Sequence, residues 1–138
     1  MNDSLPPQTP LPTEAILAQL PDAVVYSDRE GKILLWNAAA EKLFGFSGAE
    51  ALGQSLDIMI PEHLRRAHWI GFERAIEAGK VRHEGEIRLT RAIHKDGSKL
   101  YIEVGFGLTL AADGSVLGVV ATARPGKAPQ RPATPTPT

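Results

Sequence analysis

The chain has 138 residues, of which 43% are hydrophobic and 22% charged, and its formal net charge is −1. That length supports one domain with a real core and not two, while the near-zero charge gives no footing for nucleic acid or an anionic membrane surface. Cysteine is absent, which removes disulfides, thiolate metal sites and cysteine nucleophiles together.

Residues 1–12 hold four prolines and few large apolar groups, so disorder is expected there. Thr13 to Leu20 reads as a short helix, with Ile16, Leu17 and Leu20 on one side. Two short strands follow, Ala23 to Ser27 and Lys32 to Trp36, joined by an Asp28-Arg29-Glu30-Gly31 turn whose glycine suits a tight hairpin. Asn37 is placed to cap a helix through Phe44, which Gly45 ends, and Ser47 can cap another short turn. Pro61 is suited to a first helical turn, opening a long helix to about Ala78 that Gly79 closes. The remainder reads as three antiparallel strands, Val81 to Ile93, Lys99 to Leu110 and Val116 to Arg124, with turns at His94–Ser98 and Asp113-Gly114. Within the middle strand Leu100, Ile102, Val104, Phe106 and Leu108 alternate with Tyr101, Glu103, Gly105, Gly107 and Thr109, so one face is apolar. From Pro125 the chain is rich in Pro, Thr and Ala and is expected to be disordered.

These elements predict an α+β domain over 13–124: a five-stranded antiparallel sheet with helices over one face. No apolar run approaches the roughly 20 residues of a membrane span, and no charged-then-apolar leader pattern is present. A cytoplasmic protein without membrane contact is expected.

His68 is the residue that bears on chemistry. At 100° per residue, Leu64, Gly71, Phe72 and Ala75 lie within about 60° of it on the helix surface, while Arg66, Glu73 and Glu77 lie opposite. The imidazole therefore points where core should be, and Gly71 leaves room for a flat plate. A lone histidine cannot hold a bare metal ion, which needs about three or four protein ligands, but one axial bond suffices for an iron already held by a porphyrin. The plain alternative is a core histidine bonded to a backbone carbonyl. Arg88 on the inner side of a strand has two readings as well: a donor fork for a ligand, or an ion pair with Glu86 or Glu84. No P-loop, Gly-x-Ser-x-Gly or His-Glu-x-x-His occurs, and no enzyme is expected.

The element order, together with Trp36-Asn37-Ala38-Ala39-Ala40, Leu43-Phe44-Gly45-Phe46 and His94-Lys95-Asp96-Gly97-Ser98, resembles a PAS domain. The run Pro61-Glu62…Leu64-Arg65…Ala67-His68 is similar to that of the haem-binding oxygen-sensor PAS domains of the FixL and direct oxygen sensor type. The resemblance implies non-covalent haem b on axial His68, with Arg88 hydrogen-bonding bound dioxygen. It also implies Arg74 against a haem propionate, and Val104 and Phe106 as apolar groups on the distal side; Arg82 is a further cation suited to a propionate. Glu86 departs from that pattern, standing where the family carries Met or an aliphatic residue. The expected function is detection of a diatomic gas, most plainly O2, with output through a homodimer or a partner protein near Ile16, Leu17 and Leu20. Two alternatives stay open: a cofactor-free interaction module, and a pocket in which Arg88 holds the carboxylate of a small organic ligand.

Overall fold

The computed structural model describes residues 10–129, and the segments expected to lack order fall mostly outside them. The elements run α1 (Thr13–Gln19), β1 (Ala23–Asp28), β2 (Ile33–Trp36), α2 (Ala38–Phe44), α3 (Gly48–Ala51), 3-10 turns at Leu56–Met59 and Glu62–Leu64, α4 (Arg65–Ala78), β3 (Arg88–Ile93), β4 (Lys99–Leu110) and β5 (Val116–Pro125). One five-stranded sheet is formed, in the order β2-β1-β5-β4-β3, and every neighbouring pair is antiparallel.

Local chemistry explains the joints. Asp28 Oδ1 accepts from the backbone N–H groups of Glu30 and Lys32, and Gly31 takes the positive φ of 83° that closes the β1–β2 turn. Asn37 caps α2 by accepting from Ala40 N, and Gly45 ends it in the left-handed conformation. Ser47 and Glu50 form a reciprocal capping box on α3.

Asn37 also ties the layers together. Its Oδ1 accepts from Val24 N on β1 at 2.8 Å, and its Nδ2 donates to Leu17 O at 2.9 Å and Asp22 O at 3.0 Å. The core lies between the helices and the inner sheet face, around the fully buried Ile33, Ala40, Phe44 and Ala51 with Ile102 and Val104 of β4.

Two expectations need correction. The strand expected from Val81 to Ile93 begins only at Arg88, because 81–87 is turn-rich and irregular. Gly85 adopts φ 79° and Glu86 N donates to His83 O at 3.0 Å, which folds the segment back instead of extending it. The long helix begins at Arg65 rather than at Pro61, which instead precedes the 3-10 turn. Among the described residues no helix is long and apolar enough to cross a membrane.

Candidate functional site

A cavity of about 270 Å3 opens between α4 and the inner sheet face. Val25 and Ser27 of β1, Phe106 of β4, and Val119 and Ala121 of β5 make its floor. Ala67, His68, Gly71, Phe72 and Ala75 of α4 make the facing wall, with Leu56 and Met59 at one end. Val81, Arg82, His83, Glu86 and Arg88 form a rim that is far more polar than the interior.

The helical face carrying the wall follows from its sequence spacing, since 67, 68, 71, 72 and 75 fall on one stripe of a 3.6-residue helix. The stripe is fixed in place from both sides. Arg65 Nε donates to Ile60 O at 3.1 Å and its Nη2 to Asp57 O at 3.3 Å, while Trp69 Nε1 donates to Asp57 Oδ1 at 2.8 Å. Phe72 is buried in the core. A side chain built at Gly71 would meet nothing within 4 Å, so the wall beside His68 stands open.

His68 sits in an aromatic cluster, its ring centroid 4.7 Å from that of Trp69 at 78° and 5.8 Å from that of Phe72 at 40°. Burial pushes its imidazole below the ordinary histidine value, and the Asp57 carboxylate pulls partly the other way. A neutral ring has one nitrogen with a free lone pair. Its Nδ1 is sealed from solvent and has no hydrogen-bond partner, and the residue lines the cavity. Arg91 Nε is the other sealed, unpartnered side-chain atom among the described residues, and Arg91 does not line the cavity. No group of three or more His, Cys, Asp or Glu that could hold a bare metal ion is present among the described residues.

Of the residues singled out in the sequence, His68, Phe72, Arg82, Arg88 and Phe106 are brought together around this cavity. Leu64, Arg74 and Val104 are not. Leu64 ends the 3-10 turn before α4, Arg74 is exposed on the helix, and Val104 is buried in the core. Arg88 does point to the cavity, yet its Nη1 lies 3.5 Å from Glu86 Oε2, and both side chains are more than half exposed. His83 Nδ1 approaches the same Glu86 oxygen at 3.1 Å.

Ser27, 1% exposed, is the polar group on the floor that sequence reasoning passed over. The signal was there: alternation along β1 puts it on the same face as Val25.

Residues 13–126 match the family model described as the PAS fold. The chain belongs to the PAS family. Among curated proteins this PAS domain is similar to the oxygen sensor protein DosP of Escherichia coli, with 37% identity over 95 residues, 68% of this chain and 12% of that protein. It is also similar to the sensor protein FixL of Bradyrhizobium diazoefficiens, 46% identical over 54 residues, 39% of this chain and 11% of that one. The chain thus spans about an eighth of the length of these relatives. Among solved structures it shares its fold with a PAS domain from Colwellia psychrerythraea (TM-score 0.71, 24% identity, 82% of this chain and 92% of that one). An RNA-binding light-oxygen-voltage receptor gives TM-score 0.66 at 20% identity, covering 88% of this chain and 36% of its own. A PAS domain is a sensory, signal-transducing module.

Proposed function

We propose that this PAS domain holds haem b non-covalently through His68 and detects a diatomic gas, most plainly O2. The observation that carries the reading is His68 itself: an imidazole held neutral by burial, making no hydrogen bond among the described residues, on the apolar wall of a cavity. Buried polar atoms normally have partners, so an unpartnered one asks for a reason. One neutral imidazole is enough for an iron held by a porphyrin, and not enough for a bare metal ion. Gly71 leaves the space beside it, and the floor offers apolar contact.

When bound, haem would supply an iron able to take a diatomic gas. The chain's own residues do the rest. His68 would supply the one protein ligand to that iron, Phe72 and Phe106 would give apolar contact, and Arg82 and Arg88 at the rim would offer cations to propionates or to a polarised ligand. Similarity to an oxygen sensor protein supports the gas. No catalytic role is part of the reading. The signal passes to a second copy or a partner protein, in the cytoplasm. The exposed apolar side chains Ile16 and Leu20 beside α1 are the surface that suits such a contact.

A second reading is favoured by one observation. The cavity's volume of about 270 Å3 lies just below the range of ligand pockets, roughly 300–1,000 Å3, which suits a small organic anion held by Arg88. The visible spectrum of the purified protein with added hemin separates the two. A Soret band that His68→Ala abolishes is expected for haem. Its absence, or its persistence in His68→Ala, overturns the haem reading.

A further inference from the structure

We propose that Glu86 sets the ligand preference of the cavity by occupying Arg88, an inference that rests on the ligand-binding reading above. Glu86, His83 and Arg88 all stand on the rim, and a single carboxylate oxygen is shared: Glu86 Oε2 is 3.1 Å from His83 Nδ1 and 3.5 Å from Arg88 Nη1. The backbone puts the carboxylate there. Gly85 at φ 79° and the His83–Glu86 turn bring Glu86 back towards the first residue of β3. The next side chain fixes the segment, because Ile87 Cδ1 fills the space a side chain at Gly105 would need, 2.8 Å from that position.

The consequence is competition. An anionic or strongly polarised ligand needs the donors of Arg88, and must take them from a group that carries a full negative charge. A weakly polar ligand of the same size makes no such demand. The three side chains are 41%, 59% and 54% exposed for His83, Glu86 and Arg88, so water screens the pair and a ligand can break it. Glu86 therefore lowers affinity for the polarised ligand and leaves the other nearly untouched.

The test compares O2 and CO affinities of the hemin-loaded, reduced full chain in four forms: unaltered, Glu86→Gln, Arg88→Ala and the double variant. Glu86→Gln keeps the shape and removes the charge, and it is expected to raise the O2-to-CO affinity ratio about two- to fivefold. On the Arg88→Ala background the same change is expected to leave the ratio where it was. An unchanged ratio in Glu86→Gln, or an equal rise without Arg88, overturns the proposal. If hemin is not taken up, the haem reading has failed and the competition is read on the hemin-free protein. Formate is then titrated and followed by NMR at the Arg88 Nε–H signal. There Glu86→Gln is expected to tighten formate about two- to fivefold, and equal affinity, or no binding to either form, overturns it.

Discussion

Asn37 and His68 are both polar side chains set among apolar ones, and they differ in one respect. Asn37 is 5% exposed and its amide is fully used: the oxygen accepts from Val24 N and Ala40 N, and the nitrogen donates to Leu17 O and Asp22 O. His68 has a sealed Nδ1 with no partner and a ring that lines a cavity. A side-chain amide has two acceptor sites and two donors, so nothing of Asn37 is left for a ligand. Satisfaction is what distinguishes a residue that holds the fold from one that can hold something else.

The sharpest break in that comparison is Asn37→Ala. It strands two buried donors and two carbonyls, and should cost about 3 kcal/mol or more by denaturant unfolding. A loss below about 1 kcal/mol would mean that water replaces the amide at each site. On the other side, Gly71→Leu adds a good helix former where an added Cβ meets nothing within 4 Å. It should leave the melting temperature unchanged or higher, while weakening hemin uptake at least about tenfold. If uptake survives, the space beside His68 is not the one used.

Acid titration gives a smaller effect whose sign is set by burial. The folded imidazole has a lowered affinity for protons relative to the unfolded chain, so below about pH 6.5 the unfolded state binds more protons. Stability attributable to His68 is fully present above that pH and is lost as pH falls towards the folded value. A His68→Leu variant should show a flatter dependence in melting experiments over this window. Smallest of all, His83→Gln and Arg88→Ala should each change stability by less than about 1 kcal/mol, because their shared partner Glu86 is an exposed one. A larger change in chemical unfolding would make the rim a structural element.

What was legible in the sequence is what local chemistry decides. The capping by Asn37 and Ser47 and the terminations at Gly45 and Gly79 each act within a few residues, and each does in the structure what its residue type predicts. The face of α4 was equally legible, because helical spacing alone places His68, Gly71, Phe72 and Ala75 together. The rim was not. Glu86 reaches the cavity through a turn closed by Gly85, whereas reasoning from strand parity treated 81–93 as one extended run. The polar residues at 82, 83, 84 and 86 carry no apolar period, and that absence was the available signal. The side chain of His94, in the turn after β3, is 28% exposed and lies against Gly45. Such a contact between residues far apart in sequence has no local signature.

Gly31 carries a consequence of its own for how this protein can be altered. Its carbonyl accepts from Leu56 N at 3.0 Å, its backbone closes the β1–β2 turn, and the ring of Trp69 occupies the place of its missing side chain. The hairpin, one end wall of the cavity and the neighbour of His68 therefore share a single hydrogen atom's worth of clearance. A methyl group at position 31, a residue that does not line the cavity, would push against Trp69 and so against the His68 ring beside it. Substitutions remote from the cavity thus have a direct mechanical route to its one unpartnered imidazole.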